Sequence, residues 1–440
     1  MCHDVPPIVA TVREEGELPV TTPTPDLDRS VPALLLKVGH YPLHFGGVGV
    51  VRSLGRCGVD VYAVTEGRFT PAAVSRHLRG RVALPPTGAE EPADLLDPLL
   101  RVGRAIGRPT MLVPTDDEAA VVVSELADAL APAFLFPRSD PLSLVRSLAS
   151  KEGLHAACQK YGVPTAAVVT PTSQEDVEHY AAHGEFPVVI KSREAFERRA
   201  RPTVRSSTVV TGPDELRALS EGWPDPPGVV LQEYLPREDS EDWLLHAYTG
   251  ADGAIASLHT GVKVRSWPAH AGVTSCAYSV WNPDLAAVAT DMYRQLGFAG
   301  ASHLDWRLDR RDSRYKLLDF NPRVGAAFRL FENEVGVDVV RAQHLALTGR
   351  PIPDAPGPEA RRLLIEDADL AARYAYRKDP TTAPHAPERT SQTAFGWFAL
   401  DDPLPVLPVV LGRGTGAAAR LSRAGRSAAR RLTGRRERGA

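Results

Sequence analysis

The chain has 440 residues, of which 43% are hydrophobic, and its 51 basic and 54 acidic residues nearly cancel. This composition predicts a globular protein of several domains, and the balanced charge argues against a nucleic-acid partner. The four cysteines are scattered, and no apolar run approaches the roughly 20 residues of a membrane-spanning helix. The first residues lack the apolar core of a signal peptide, so we expect a cytoplasmic protein.

The N-terminal part of the chain predicts a parallel sheet. Residues 1–30 are rich in Pro, Thr and charged residues, which predicts a poorly ordered arm. A buried strand at 33–38, a glycine-rich loop, a helix to about Cys57 and a second strand at 59–64 follow. This β-α-β opening favours a Rossmann-like domain over residues 31–145.

Two lysines follow in positions that suit phosphate binding. Lys151 opens an amphipathic helix in SLASKEGLHAACQKYGVPT, which ends at a Gly-Val-Pro stop signal. Lys191 ends the predicted strand FPVVIK, where its side chain has less conformational freedom than that of a surface lysine. It can bind a phosphate there as a point charge. The next segment, residues 193–207, is rich in arginine and contains no glycine.

Further along, VVLQEYLP at residues 229–236 predicts a strand that runs into an acidic turn. Lys263 and Arg265 are two residues apart, so on a strand they share one face, where both can contact anions. A solvent-facing strand is the alternative for this pair.

Residues 304–320 predict two strands joined by a polar turn. Such a hairpin can bring Asp305 close to Asp319, and Asn321 then points to the same face. Two carboxylates and an amide oxygen form the hard-oxygen site that Mg²⁺ bound to nucleotide phosphates prefers. Arg323 follows on the same alternation and can reach a phosphate or a carboxylate. The alternative is a solvated hairpin with scattered acids.

The order and spacing of these sequence blocks resemble those of the ATP-grasp superfamily over roughly residues 31–350. The motif LLDFNPR is similar to the metal-binding strand of that family. Asp319 stands in it where the family usually has Glu. The resemblance implies an α/β protein with a Rossmann-like N-terminal domain, followed by a two-lobed α+β ATP-grasp domain at 146–350. A C-terminal extension (351–411) and a basic tail (412–440) complete the predicted organisation.

The resemblance also implies a role for each block. Lys151 and Lys191 would contact the phosphates of ATP. Gln232, Glu233 and Leu235 would contact the adenine, and Asp239 would contact the ribose. The metal would be held by Asp305, Asp319 and Asn321, and catalysis would involve Lys263, Arg265 and Arg323. The first loop often faces the acceptor substrate in this family. His40, His44 and Gly46-Gly47 therefore either contact a substrate or only shape the turn.

The implied activity is that of an ATP-dependent ligase, with ATP and Mg²⁺ or Mn²⁺ as cofactors. It would activate a substrate carboxylate as an acyl phosphate and join it to an amine, both small molecules; a homodimer is compatible with this. The glycine-free segment 193–207 departs from the family pattern, as does His303, which stands where D-alanine–D-alanine ligases carry an arginine. An ATP-grasp carboxylase, a phosphotransferase and a non-catalytic nucleotide-binding regulator are the alternatives.

The end of the chain has a different character. Residues 413–438 contain nine arginines, no lysine and one acid. Apolar residues near helical spacing are compatible with a basic amphipathic helix that contacts anionic lipid, RNA or an acidic partner, peripheral membrane contact among them. A solvated tail is the alternative.

Overall fold

The computed structural model describes residues 9–10, 24–82, 84, 90–194, 203–204, 207–270, 272–380 and 383–412. Most of the predicted arm, most of the segment 193–207 and all but one residue of the predicted basic tail lie outside the described residues, so what was predicted for them stays a prediction. Within the described ranges, no helix is long and apolar enough to cross a membrane.

The first part of the chain forms a six-stranded sheet in the order β1-β4-β3-β2-β5-β6. Its elements are β1 (Val9–Ala10), β2 (Ala33–Leu36), α1 (Phe45–Arg56), β3 (Val61–Val64), β4 (Gly80–Val82), α2 (Pro92–Ile106), β5 (Thr110–Pro114), α3 (Asp117–Glu125), α4 (Ala127–Leu130), β6 (Phe134–Leu135) and α5 (Leu144–Ala149). Strands β2 to β6 are parallel, and β1 pairs antiparallel with β4. All four residues of β2 are buried, as expected for a central parallel strand covered on both faces. The predicted β-α-β opening is confirmed.

Two side chains at one edge of this sheet fix the starts of helices. His44 caps α1, because its Nδ1 accepts a hydrogen bond from the Gly47 N–H at 3.0 Å. Asp116 caps α3 and also accepts from the N–H groups of Val38 and Gly39, at 3.0 and 2.6 Å. It thereby ties the glycine-rich loop to the end of β5, at the carboxyl edge where open α/β sheets bind ligands.

A small antiparallel sheet follows, in the order β7-β10-β8-β9. Its elements are α6 (Lys151–Tyr161), β7 (Val168–Val169), α7 (Gln174–His183), β8 (Val188–Ser192), β9 (Thr208–Val210), α8 (Pro213–Ser220) and β10 (Val229–Glu233). Helix α6 begins at Lys151 and ends at Gly162 in the left-handed conformation (φ 66°), as the predicted stop signal requires. Apolar residues of α7 and α8 pack on this sheet and form its core.

The third sheet has seven strands in the order β15-β14-β11-β12-β13-β16-β17. The elements are β11 (Ser240–Thr249), β12 (Ile255–Trp267), β13 (Val273–Ser279), α9 (Pro283–Leu296), β14 (Gly300–Asp309), β15 (Arg314–Asn321), a 3₁₀ turn (Phe328–Phe331), α10 (Val339–Leu347), β16 (Arg361–Leu364), α11 (Glu366–Tyr376) and β17 (Gln392–Phe395). The predicted C-terminal extension supplies β16 and β17, so this segment completes the sheet. A helical segment at 406–412 ends the described chain.

Alternation along β11 and β14 separates the core of this sheet from its polar face. Trp243, Leu245, Leu304 and Trp306 are buried together with apolar residues of α9. Because side chains of a strand alternate, the residues between them share the opposite face. That face carries Asp242, Leu244 and His246 on β11, and His303, Asp305 and Arg307 on β14.

Candidate active site

Asp305 and Asp319 lie directly opposite each other on β14 and β15, as their spacing predicted. Each carboxylate contacts a lysine from another element. Lys263 Nζ, from β12, lies 2.5 Å from Asp305 Oδ1, and Lys151 Nζ, from the first turn of α6, donates to Asp319 Oδ1. The fold thus brings two predicted metal ligands and two predicted cationic residues to one place.

Electrostatics keep these carboxyl groups ionised. Burial alone raises their pKa values, but the neighbouring cations outweigh it. Lys263 and His303 hold the pKa of Asp305 below its usual range, and Lys151 and Lys191 do the same for the pKa of Asp319. An anionic pair on a hard-oxygen face is what a divalent cation requires.

The predicted amide ligand is held by the predicted catalytic arginine. Asn321 Oδ1 accepts from Arg323 Nη2 at 2.9 Å, and Arg323 Nε donates to Asp117 Oδ1 at 2.9 Å. Burial alone lowers the pKa of Arg323, but Asp117 raises it above its usual value. Arg323 therefore links the end of β15, the predicted metal strand, to α3 beside the first sheet.

A small cavity between the second and third sheets is lined by Lys151, Lys191 and Gln232, among other residues. Burial lowers the pKa of Lys191 to about 8, and the positive charge of Lys151 is the second cause of this shift. Thr165, just after α6, donates to the carbonyl of Leu317 on β15 at 2.7 Å and so fixes α6 beside the hairpin. The predicted phosphate lysines and a predicted adenine residue share this cleft.

The other predicted nucleotide residues lie at and beyond the end of β10. The Glu233 carboxylate accepts from Arg311 at 3.0 Å, and the carbonyl of the buried Leu235 accepts from Arg307 at 3.2 Å. Asp239 is exposed in the turn before β11, next to the hairpin. All three therefore contact the β14–β15 hairpin, and Glu233 and Leu235 are each held by an arginine.

Arg265 is the predicted site residue that the structure places elsewhere. Irregular register on both sides of Arg265 interrupts the alternation that would put it beside Lys263. Its guanidinium instead donates to Asp369 of α11, at 2.7 and 3.2 Å. A bulge of this kind redirects a side chain and leaves no mark in a two-residue spacing.

No protein-family model matches the chain. D-aspartate ligase of Enterococcus faecium (strain Aus0004) is 23% identical over 229 residues, which cover 49% of this chain and 53% of that protein, so the match spans about half of the relative's length. The crystal structure of L-amino acid ligase from Bacillus licheniformis has a TM-score of 0.54 at 15% identity, over 73% of this chain and 75% of that one. The biotin carboxylase domain of Hydrogenobacter thermophilus 2-oxoglutarate carboxylase, solved with MgADP, ADP and bicarbonate, has a TM-score of 0.52 at 12% identity, over 74% and 71%.

The chain has the ATP-grasp fold. The predicted architecture, a Rossmann-like sheet followed by a two-lobed α+β region, is thereby confirmed. The antiparallel sheet β7-β10-β8-β9 and the seven-stranded sheet are its two lobes, and the lysine-lined cleft lies between them.

Arg307 of this ATP-grasp fold was not singled out from the sequence. It lies two residues after Asp305 on the same face of β14, and its Nε donates to Asp242 Oδ1 at 2.7 Å. Its charge also acts on Lys191 across the cleft, where it lowers the pKa of that lysine. Its position could have been predicted from the sequence, because the strand alternation that puts Asp319 and Asn321 on one face also puts Asp305 and Arg307 on one face.

After Arg323 the chain crosses the polar face of the sheet. Gly325 lies against the stacked rings of His246 and His303, whose centroids are 4.5 Å apart, and an added Cβ would lie 2.4 Å from the Cβ of His303. Gly46 of the first loop approaches the same segment, where an added Cβ would lie 2.8 Å from the Cα of Ala326. Gly325 and Gly46 are therefore positions where the backbone passes too close to other atoms for a larger residue. Gly46 through this approach, and His44 as the cap of α1, have structural roles whether or not they contact a substrate.

The donor set fits Mg²⁺ held together with a nucleotide. Asp305, Asp319 and Asn321 supply two ionised carboxylates and one amide oxygen. No cluster of three or more His, Cys, Asp or Glu residues in the described ranges is arranged to hold a metal. A site with only two carboxylates suits Mg²⁺, which usually keeps several water ligands and binds substrate phosphates.

Proposed function

We propose that the protein is an ATP-dependent ligase that activates a carboxylate as an acyl phosphate and joins it to an amine. The observation that carries this proposal is the four-residue cluster of Asp305, Asp319, Lys151 and Lys263, drawn from four separate elements of an ATP-grasp fold. The relatives named above include a D-aspartate ligase and an L-amino acid ligase, which support the same reaction class.

The residues divide the chemistry as follows. Asp305, Asp319 and Asn321 would hold Mg²⁺, which would supply positive charge to offset that of the ATP phosphates. A substrate carboxylate oxygen attacks the γ-phosphorus, the bond to the β,γ-bridging oxygen breaks, and ADP leaves. Lys151 and Lys191, with Lys263 beside them, stabilise the transferred phosphoryl group. The amine nitrogen then attacks the acyl carbon, phosphate leaves with one former carboxylate oxygen, and the amine proton passes to solvent.

No side-chain nucleophile is needed in this scheme. Catalysis comes from positioning and from cations placed where negative charge develops. We assign Arg323 to orienting the substrate, and its contacts with Asn321 and with Asp117 at the edge of the first sheet support this role. Gln232, Glu233, Leu235 and Asp239 form the side of the cleft that we assign to the nucleoside.

An ATP-grasp carboxylase is the second candidate, favoured by the structural likeness to a biotin carboxylase domain solved with bicarbonate. Release of ADP from Mg·ATP, measured with paired amino acids and amines and separately with bicarbonate, separates the two. The ligase proposal expects ADP and phosphate in equal amounts only when a carboxylate and an amine are both present, with D- and L-aspartate as the first acids. Stimulation by bicarbonate alone, or no stimulation by any pair, contradicts it.

The remaining partners and the location follow from this activity. We propose that the substrates are small molecules bound between the first and third sheets, in a protein that works in the cytoplasm. A homodimer and a peripheral membrane contact are compatible with this chemistry and are not required by it.

A further inference from the structure

The last described residues expose an unusual amount of apolar surface. Six large hydrophobic side chains between residues 398 and 411 are 42–88% exposed. They are Phe398, Leu400, Leu404, Leu407, Val410 and Leu411, and we call them the 398–411 patch. Single exposed leucines are ordinary on protein surfaces, but six large exposed apolar side chains within one short segment are typical of an interaction site.

This exposed face is not the core face of the segment. Residues 406–412 are helical, and Val409, with Val406 beside it, packs into the buried cluster that contains Trp397 and Ile365. The segment is thus already docked on the protein through one apolar side. Leu404, Leu407 and Leu411 form a second apolar side at helical spacing, and among the described residues nothing covers it.

The acids of the segment are turned away from the patch. Asp402 is buried and pairs with Arg52 at 2.9 Å, and Asp401 pairs with Arg56 and His77 at 2.7 and 3.0 Å. Their negative charge is therefore neutralised inside the protein. The patch presents apolar side chains without an anionic neighbour of its own segment.

The sequence that follows the patch is strongly basic. Residues 413–438 contain nine arginines, no lysine and a single acid, Glu437. An apolar face followed in the sequence by a dense run of positive charge is a combination suited to the interface of an anionic bilayer, where apolar side chains enter the acyl boundary and basic residues meet the headgroups.

We propose that the 398–411 patch and the arginines after it dock this protein on an anionic lipid surface. An RNA partner would use the arginines but would leave the leucines exposed to water. A second copy of the chain would cover the leucines but would bring two sets of nine arginines together. A bilayer of anionic lipid satisfies both features. None of the residues assigned to catalysis belongs to the 398–411 patch.

The test is co-sedimentation of the full chain with vesicles of phosphatidylglycerol and phosphatidylcholine, or of phosphatidylcholine alone, at about 50 and 500 mM salt, where screening differs strongly. A patch variant carries Leu404→Gln, Leu407→Gln and Leu411→Gln. Leu370→Gln, at another exposed leucine on α11, is the matched control. All four positions are exposed, so thermal melts are expected to match the wild type.

We expect wild type and Leu370→Gln to bind anionic vesicles at low salt, and to bind at least tenfold less at high salt or with phosphatidylcholine alone. The patch variant and a chain lacking 413–440 should each lose at least tenfold in binding. Absence of wild-type binding at low salt overturns the proposal. Unchanged binding of the patch variant also overturns it, because the arginines then act alone. A wild-type dimer that the patch variant turns into a monomer in light scattering would show that a second copy covers the patch.

Discussion

Charge compensation at single residues organises the candidate site. Asp305 and Asp319 would repel each other across the hairpin if they were not paired, and Lys263 and Lys151 prevent this from opposite sides of the cleft. The same four side chains are those that ATP and a divalent cation require. The ion pairs therefore stabilise this arrangement, and under the proposed function the lysines would exchange their carboxylate partners for the ATP phosphates.

Asp319→Asn tests the metal assignment. The substitution removes an anionic ligand but keeps the shape of the side chain, so Mg²⁺-dependent ATP binding should weaken at least tenfold and turnover should be largely lost. Isothermal titration with and without Mg²⁺ measures this, and Asp291→Asn on the exposed side of α9 is the control. Equal Mg·ATP affinity in wild type and Asp319→Asn would falsify the metal assignment.

Lys191 gives the site a pH dependence. Its pKa of about 8 means that the ammonium group loses its charge as the pH rises through 8, so ATP affinity should fall between pH 7 and 9. Lys191→Arg keeps its charge throughout this range and should flatten the profile. Adenosine lacks phosphates, and its affinity should not follow the same curve. A pH profile for Lys191→Arg identical to that of wild type would show that another group titrates.

Removing the Lys191 charge altogether is a separate measurement. Lys191→Ala should weaken ATP binding by about 1.5–3 kcal/mol, the range for hydrogen bonds to charged groups, and should leave adenosine binding nearly unchanged. Titration calorimetry with both ligands compares the two losses. A matched loss for adenosine would mean that the substitution damages the small sheet.

The residues that could be predicted from the sequence are those whose position within one element fixes their direction. Lys151 at a helix start, Lys191 at the end of a strand, and Asp305 opposite Asp319 follow from local spacing. Arg265 could not be placed, because its direction depends on a bulge and on an acid about 100 residues away. Asp117 was not singled out from the sequence, because its contact with Arg323 lies between two separate sheets and leaves no local pattern.

At the scale of elements, α11 is fastened to β12 by Arg265 and Asp369. Asp369 is buried and also accepts from Arg373 at 2.7 Å, so the loss of Arg265 leaves a buried carboxylate only partly compensated. Arg265→Ala should lower the free energy of unfolding by about 2 kcal/mol. Chemical denaturation measures this.

Asp369→Asn is the companion variant for Arg265. If Arg265 acts mainly through this contact, both variants should shift stability and leave the Michaelis constant for ATP unchanged. The double variant should then cost little more than the more severe of the two single changes. A loss of turnover in Arg265→Ala that Asp369→Asn does not share would show that Arg265 acts in catalysis, as predicted from the sequence.

The segment that crosses the sheet after β15 supports His303 beside the metal face. Gly325→Ala should force a Cβ against the stacked histidines and lower the free energy of unfolding by about 1–3 kcal/mol, the usual cost of overpacking. Gly67→Ala, where an added Cβ meets nothing within 4 Å, is the control. Equal melting temperatures for Gly325→Ala and wild type would contradict this prediction, because they would mean that the segment moves away from the histidines at little cost.

Element boundaries follow the sequence closely where a cap or a stop residue is present. Helix α6 begins and ends where Lys151 and Gly162 predicted, and the metal hairpin spans the predicted strands. Strands β16 and β17 were not predicted. They are four residues each and pair with β13 and with each other across long stretches of chain, so no local pattern reveals them.

At the scale of the whole molecule, the cleft lies between the second and third sheets, and the Arg323–Asp117 contact joins the first sheet to its hairpin. The C-terminal segment completes the largest sheet at the edge opposite the β14–β15 hairpin. The basic residues after 412 lie outside the described part of the chain, and none of them is among the predicted site residues. Deletion of 413–440 should therefore leave ATP affinity and turnover in solution within about twofold of wild type. A larger loss in a steady-state assay would mean that these residues belong to the site.

The central claim is that a carboxylate oxygen attacks the γ-phosphate of ATP. The most direct measurement uses the accepted acid, tested first with D- and L-aspartate, labelled with ¹⁸O in its carboxylates, together with Mg·ATP and the amine. Mass spectrometry of the released phosphate then reports the origin of its oxygens. The ligase mechanism predicts one ¹⁸O atom in each phosphate formed. Unlabelled phosphate released together with ADP would contradict it, because water, and not the carboxylate, would then be the attacking group.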